Sequence, residues 1–302
     1  MSVPFISFEV EQSLNWLDLA QALEDGHKLP RAVVEDSFLR RGPDTMLNRA
    51  AWIDGLGQAV KTCTIFPGNT EVPNINGVVT LYSDQDGTLQ AILDFHLITK
   101  WKTAADSLLG ALRLARPDSA SILIIGAGTV ANSLIDAYGA GFPRARVSVW
   151  NRSSDRVDAL RLKHPEVGHA EDLETAVKTA DIIATATMST EPILQGDWLR
   201  SGQHIDMIGA FRPDMREADD QVLKRTRLFV DNIKTATEIG ELRDPIARGV
   251  ITEDDIVADY YDLHSGAYRR TSDDEITLFK NGGGAHLDLM TSNYIRDVAR
   301  AR

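Results

Sequence analysis

Apolar and polar positions follow different patterns in the first and second parts of the chain. In the first hundred residues, leucines recur at helical spacing over Leu14–Glu24. Residues 58–66, 78–82 and 88–94 are rich in Val, Ile and Thr or alternate apolar with polar side chains, which predicts strands. Turn-forming residues at 83–87 separate the last two of these segments, so we predict an antiparallel hairpin there. The first part is therefore predicted to mix helix with antiparallel strands.

From about residue 105, short apolar runs alternate with helical segments. A helix over Ala104–Ala115 is predicted to end at Arg116, because Pro117 follows it. The apolar runs are 121–125, 146–150, 181–186, 204–208 and 228–230, and the helices between them include 130–138, 156–163 and 173–179. Continuous apolar strands separated by helices indicate a parallel sheet with both faces covered. A further helix is predicted over 285–302, after three glycines, and we expect it to pack back on the first part of the chain.

The segment Ile124–Ala131 carries a glycine pattern that is typical of dinucleotide-binding sites. It reads Gly-x-Gly-x-x-Ala and lies between an apolar run and a helical one. Gly126 permits a sharp turn out of the strand, Gly128 lets the backbone approach a pyrophosphate, and Ala131 allows close helix–strand packing. We expect the cofactor to be bound by Gly126, Ala127, Gly128, Thr129 and Val130, where a helix N-terminus offers N–H groups to phosphates. The flanking elements favour a Rossmann domain over a purely structural turn.

The end of the next predicted strand bears on which nicotinamide cofactor binds. Many NAD-binding domains place a carboxylate there for the ribose 2′-hydroxyl, whereas this strand ends in Asn151-Arg152-Ser153. Arg152 can pair with a 2′-phosphate, and Asn151 and Ser153 can donate hydrogen bonds to it. The sequence therefore favours NADP(H). NAD(H) binding, with Arg152 as a solvated surface residue, is the alternative.

Composition and charge exclude several classes of protein. The 302 residues are 43% hydrophobic and 25% charged, as in soluble globular proteins, and the net charge of −12 disfavours nucleic acid and anionic membranes as partners. Cys63 is the single cysteine, which excludes an intrachain disulfide and a thiolate zinc site, and the histidines lack ligand spacing. We therefore expect no metal centre. The N-terminal residues lack a signal-peptide pattern, so we expect a cytoplasmic protein.

Among the cationic side chains that precede the glycine motif, we select three as candidates for substrate binding: Arg49, Lys61 and Lys102. Lys61 is flanked by Val60 and Thr62 in a predicted strand, where burial of a lysine is costly unless it meets an anion. The alternative is an edge-strand lysine that faces water.

Several short segments, in order along the chain, resemble the ornithine cyclodeaminase/mu-crystallin family. They are 66–69, 76–79, 93–94, 97–99, 102–105, 125–128, 150–152, 212–217 and 274–280. The resemblance spans residues 49 to 290 and implies a homodimer built through the first domain. With it we predict an α/β fold in which a Rossmann NAD(P)-binding domain, residues 106–280, is combined with a discontinuous α+β substrate-binding and dimerisation domain, residues 1–105 and 281–302.

The resemblance also implies roles for individual residues. Arg49, Lys61 and Lys102 would hold a substrate carboxylate beside the nicotinamide, with Lys61 as the catalytic group that stabilises or protonates an imine. Position 102 is usually arginine in the family, so a planar fork is replaced here by a point charge. Cyclodeaminases carry an aspartate after the fifth Rossmann strand, where this chain has Phe211. We expect Phe211 and Thr187 to contact the cofactor, with Phe211 forming an apolar wall that excludes water. A phenyl ring cannot accept a proton or bind an ammonium as a carboxylate would, and this disfavours cyclodeamination.

By resemblance, the expected reaction is NADPH-dependent reduction of a cyclic ketimine carboxylate. The substrate is Δ1-pyrroline-2-carboxylate, Δ1-piperideine-2-carboxylate or both, and the product is L-proline or L-pipecolate. The alternatives are an ornithine cyclodeaminase-type lyase, an alanine dehydrogenase-like enzyme and a ligand-binding relative of mu-crystallin. Ring size stays open, because one methylene is worth only about 1–3 kcal/mol in a pocket.

Overall fold

The computed structural model describes residues 3–301. Its strands are β1 Phe5–Ile6, β2 Val33–Arg41, β3 Asp44–Ile53, β4 Gly57–Ile65, β5 Ile75–Tyr82, β6 Leu89–Asp94, β7 Ser121–Ile125, β8 Arg146–Trp150, β9 Gly168–His169, β10 Ile182–Thr185, β11 His204–Met207, β12 Arg227–Val230, β13 Ile256–Ala258 and β14 Thr277–Lys280. Its helices are α1 Trp16–Gly26, α2 Phe95–Leu114, α3 Thr129–Gly141, α4 Ser154–Arg161, α5 Leu173–Thr179, α6 Asp220–Arg225, α7 Ile233–Thr237, α8 Gly240–Ala247 and α9 Ala285–Arg300, with short 3-10 turns at Phe8–Ser13, Gly196–Trp198, Glu253–Asp255 and Tyr260–Asp262.

The described chain falls into two compact units. The first contains the residues up to Lys102 together with those from Gly284 onward, and the second is Thr103–Gly283. One division therefore falls inside α2, and the other falls just before α9.

The first unit is built on a six-stranded sheet in the order β1-β6-β5-β4-β3-β2. Strands β2 to β6 pair antiparallel, which confirms the predicted hairpin between β5 and β6, and α9 packs against β3, β4 and β5. The pair β2–β3 was not predicted from the sequence. Most of β2 is exposed and rich in charged side chains, so it lacks the alternation of a half-buried strand.

Helix α2 begins nine residues before the predicted start at Ala104. Asp94 explains the early start, because its Oδ1 accepts hydrogen bonds from the backbone N–H of His96 at 2.8 Å and of Leu97 at 3.0 Å. The chain therefore turns directly from β6 into the helix. This places Lys102 within a helix instead of in the segment before one.

The second unit contains an eight-stranded sheet in the order β13-β12-β14-β11-β10-β7-β8-β9, and every pair is parallel. The predicted parallel sheet and its strand-and-helix alternation are confirmed, with slightly different element bounds. From β7 the chain moves outward on one side through β8 and β9, and then returns to the other side with β10 and β11. The order of strands therefore reverses between β7 and β10, which is where ligands bind in sheets of this type.

Strand β14 was not predicted, although it lies inside the second sheet between β11 and β12. It contains Lys280, which is fully buried. Because lysine is usually exposed, its presence made the segment difficult to recognise as a buried apolar strand. The Lys280 ammonium donates to the backbone oxygens of Met207, Ala210 and Asn281 at 2.8–2.9 Å. These three carbonyls compensate for the loss of water around the charge.

Candidate active site

A cluster of cationic side chains lies in the interior of the first unit. Arg49 on β3 and Lys61 on β4 are direct cross-strand partners. Strand β4 is an inner strand between β3 and β5, so the alternative of an edge-strand lysine that faces water is wrong. Lys61 is 7% exposed, and Lys102 on α2 is 6% exposed. Both Arg49 and Lys102 lie close enough to Lys61 for their charges to act on its ammonium group.

The Lys61 ammonium has one carboxylate partner in the first unit. It donates to Oδ1 of Asp288 on α9 at 2.9 Å, and it lies 4.8 Å from the ring centre of Phe95. Burial lowers the pKa of Lys61 from its ordinary value, Lys102 and Arg49 lower it further, and Asp288 opposes the change. An ammonium with a lowered pKa gives up a proton more readily, which suits a general acid near neutral pH.

Arg49 and Lys102 differ in how their charges are compensated. The Nε of Arg49 donates to both carboxylate oxygens of Asp36, its partner on β2, at 3.0 and 3.2 Å. Lys102 makes no hydrogen bond or ion pair with any residue between 3 and 301, although its side chain is buried. A buried ammonium without an anion is costly, so the cluster is suited to a ligand that carries one negative charge.

The predicted phosphate-binding turn joins β7 to α3 in the second unit. Gly126 has φ +116°, and a Cβ there would lie 2.6 Å from the backbone oxygen of Ala186. The turn therefore abuts the end of β10, and glycine is required by both conformation and space. Gly128 precedes α3 without a side-chain cap, and a Cβ there would meet no atom within 4 Å. This open cradle, with Ala127, Thr129 and Val130 beside it, fits a diphosphate at a helix N-terminus.

The end of β8, the strand that pairs with β7, carries the residues predicted to bind the ribose. Asn151 donates from Nδ2 to the backbone oxygen of Ser153 at 2.9 Å, and Arg152 and Ser153 are exposed. Arg152 forms no ion pair with another residue of the described chain. Its guanidinium is therefore available to an anionic group.

Two further predicted residues follow neighbouring strands of the same sheet. Thr187 comes after β10, and Phe211 comes after β11 and is 58% exposed. The buried Glu217 connects these segments, because it accepts hydrogen bonds from the N–H and hydroxyl of Thr187 at 2.7 Å and from the N–H of Ala210 at 3.1 Å. Glu217 belongs to the segment 212–217 of the family resemblance, but this role was not predicted from the sequence. No local pattern reveals it, since its partners are up to 32 residues away.

A buried polar pair, Tyr138 and Asp206, lies in the second unit. The hydroxyl of Tyr138 on α3 donates to Asp206 on β11. Burial raises the pKa of Asp206 to about 7, and burial together with the nearby Glu217 raises the pKa of Glu241 to about 7. The Asp206 carboxylate is thus buried within the second unit.

A family model for the ornithine cyclodeaminase/mu-crystallin family matches residues 46–302. The chain belongs to this family. A protein of Paracoccus denitrificans named Delta(1)-pyrroline-2-carboxylate reductase is 49% identical to it, over 97% of this chain and 96% of that protein. The family assignment made from the sequence is therefore confirmed.

Solved structures of related proteins share the fold of this family member. Thermococcus litoralis Delta(1)-pyrroline-2-carboxylate reductase, in complex with NADH and L-proline, is 25% identical with a TM-score of 0.88, and the match covers 99% of this chain and 98% of that one. An archaeal alanine dehydrogenase dimer with bound NAD is 25% identical with a TM-score of 0.91, over 100% of this chain and 97% of that one. The predicted α/β fold is confirmed, and the structure contains a Rossmann-like parallel sheet and a second, mixed sheet.

Two kinds of feature are absent from the described part of the chain. No helix within residues 3–301 is long and apolar enough to cross a membrane. In the same part of the chain, no three His, Cys, Asp or Glu side chains gather where they could hold a metal ion.

Proposed function

We propose that this protein reduces a cyclic ketimine carboxylate with a nicotinamide cofactor, giving the L-imino acid. The observation that carries the proposal is the buried Lys102, which makes no ion pair with any residue of the described range 3–301 and lies in a cluster with Arg49 and Lys61. A cyclic ketimine carboxylate such as Δ1-pyrroline-2-carboxylate or Δ1-piperideine-2-carboxylate supplies one carboxylate to this cluster. The relatives named as pyrroline-carboxylate reductases support the same reaction.

Each cation has a distinct part in the proposed reaction. Arg49 and Lys102 bind the substrate carboxylate and thereby fix the position of the imine carbon. Lys61 donates a proton to the imine nitrogen, a role that its burial and lowered pKa support. When bound, the nicotinamide supplies the hydride. Phe211 shields that end of the cofactor from water, and its exposed ring is in keeping with a wall that a ligand covers.

We further propose that NADP(H) is preferred to NAD(H). Arg152 supports this preference because it is exposed after β8, forms no ion pair within residues 3–301, and has no carboxylate beside it to repel a 2′-phosphate. The Thermococcus relative holds NADH, so the preference must be measured for this chain. The single cysteine also supports a cytoplasmic location.

A homodimer is the proposed assembly. The edge strand β2 and its neighbour β3 expose large apolar side chains, namely Val33, Phe38, Leu39, Met46 and Trp52. An exposed apolar edge of this kind is costly in a monomer. Light scattering should give twice the chain mass, and Leu39→Lys should give a monomer. A monomeric wild type would contradict the proposal.

The first experiment measures the rate at which NADPH absorbance is lost with each candidate substrate. We expect rapid oxidation with Δ1-pyrroline-2-carboxylate, Δ1-piperideine-2-carboxylate or both, and the ratio of the two kcat/KM values reports ring size. Turnover of pyruvate with ammonia alone would support an alanine dehydrogenase instead. Ammonia release from L-ornithine with NAD, without net reduction, would support a cyclodeaminase. Ligand binding without any turnover would support a binding protein, and each of these three results would overturn the proposal.

A further inference from the structure

Asp288 is a buried carboxylate that the sequence did not single out. It lies on the first turns of α9, is 1% exposed, and meets the Lys61 ammonium at 2.9 Å although 227 residues separate the two in sequence. Its second oxygen, Oδ2, is also buried and has no hydrogen-bond partner among residues 3–301. An aspartate buried with one of its oxygens unsatisfied is unfavourable for stability, so its presence calls for an explanation beyond packing.

The charged groups that face Lys61 come from three elements. Asp288 faces it from α9, Arg49 from β3 and Lys102 from α2, while the residue paired with it on β5 is the apolar Val79. Burial and the two neighbouring cations all favour the neutral amine. Asp288 is the carboxylate in this set, and it favours the ammonium both by charge and by accepting its hydrogen bond.

We propose that Asp288 is a positioning residue for imine reduction, whose carboxylate holds the Lys61 side chain in its ammonium form and at a fixed place. The inference rests on the proposed function and assigns a further residue to it. In the step that it supports, one Nζ–H bond of Lys61 breaks, its electron pair stays on Nζ, and the imine nitrogen forms the new N–H bond with its lone pair. The two electrons that reduce the C=N bond arrive with the hydride of NAD(P)H, which is oxidised to NAD(P)⁺. Water then returns a proton to Lys61.

The competing explanation is a purely structural ion pair that holds α9 against β4. In that case, loss of Asp288 lowers stability and leaves the pH dependence of turnover unchanged. A positioning role instead predicts that loss of Asp288 changes the pH dependence of turnover. Without the carboxylate, Arg49 and Lys102 act on Lys61 unopposed, so its proton is lost at lower pH.

The test compares Asp288→Asn and Asp288→Glu with wild type, and Asp297→Asn serves as the matched control on the exposed part of the same helix. We measure kcat and KM for the cyclic imine across pH, NADPH binding by fluorescence, and thermal unfolding. For Asp288→Asn we expect kcat to fall about 100-fold, within the range of general acid catalysis. In the profile of kcat against pH, the alkaline limb, on which kcat falls as pH rises, should move to lower pH. NADPH binding should stay unchanged. Asp288→Glu should restore part of kcat and the wild-type limb, and Asp297→Asn should match wild type throughout.

An Asp288→Asn variant that is folded, binds NADPH and keeps the wild-type limb would overturn the assignment. If that variant does not fold, Asp288→Glu decides, because it keeps the charge and displaces it by one methylene. A kcat equal to wild type in Asp288→Glu would then overturn the positioning role. Wild-type protein that fails to reduce any cyclic imine would overturn the proposed function itself, and the Asp288 assignment with it. An active wild type with an unshifted limb in the variant would overturn the Asp288 assignment alone.

Discussion

Arg49 and Lys61 lie opposite each other on neighbouring inner strands, and each has its own carboxylate, Asp36 for the arginine and Asp288 for the lysine. Lys102 completes the cluster, and it makes no ion pair with another residue between 3 and 301. A substrate carboxylate can therefore supply the anion that Lys102 lacks within the described part of the chain.

Replacement of Lys61 tests the proposed proton donor. Lys61→Met keeps most of the volume of the side chain and removes the ammonium, so we expect kcat to fall by about 10²–10⁴-fold. NADPH binding, measured by fluorescence, should be unchanged. Lys28→Met, which alters an exposed lysine of the same unit, is the control. Strong residual turnover in Lys61→Met would contradict the role of this residue.

Replacement of Lys102 tests carboxylate binding. Loss of a charged hydrogen bond costs about 2 kcal/mol, so we expect Lys102→Met to raise KM for the imine roughly 30-fold. Lys102→Arg should retain most of the affinity, since it keeps the charge. Steady-state kinetics measure both. An unchanged KM with a lowered kcat would show that Lys102 does not bind the carboxylate.

The choice between cofactors depends on Arg152. We expect Arg152→Ser to raise KM for NADPH about tenfold, equivalent to about 1.4 kcal/mol, and to leave KM for NADH unchanged. Arg156→Ser is the control, because it alters an exposed arginine that lies nearby on α4. Equal effects on the two cofactors would assign Arg152 to the shared part of the nucleotide instead.

The two glycines of the phosphate-binding turn should respond differently to alanine. Gly126→Ala adds a Cβ that would lie 2.6 Å from the Ala186 oxygen, at a positive φ, so we expect a loss of about 1–3 kcal/mol in the free energy of unfolding. Gly128→Ala meets open space, so its stability should match wild type while NADPH affinity falls. Urea unfolding and fluorescence titration measure these effects. Equal losses of stability would contradict this division of roles.

The buried Asp206 should make stability depend on pH. Its pKa is raised to about 7 in the folded protein from an ordinary value of 3.8. The protonated form is therefore favoured by folding, and its contribution to stability is lost as pH rises from about 4 to 7. Asp206→Asn cannot ionise, so its free energy of unfolding relative to wild type should increase between pH 5 and pH 8. A difference that stays constant over this range would contradict the assignment.

The Rossmann motif and the parallel sheet could be predicted because each depends on local pattern. Gly126 and Gly128 lie within one turn, and the apolar runs mark their strands directly. Strand β14 escaped prediction, since the buried Lys280 gives it a polar position that three backbone oxygens satisfy only in the folded state.

The partners of the cationic cluster could not be predicted, for a related reason. Lys61 was recognised from its polar character in a predicted strand, but Asp288 belongs to a helix at the other end of the chain. Asp36 lies in a strand so exposed and charged that its sequence does not alternate. Contacts of this kind depend on tertiary structure, which a single sequence does not display.

The place of β14 in its sheet sets a constraint on synthesis. This strand joins β11 to β12, and α9, which packs on β3 and β4, follows it. A nascent chain that has been translated only as far as residue 276 therefore lacks the inner strand of one sheet and the covering helix of the other. Neither unit can reach its final structure until β14 and α9 have left the ribosome, so each sheet should be completed only after these two elements have been synthesised.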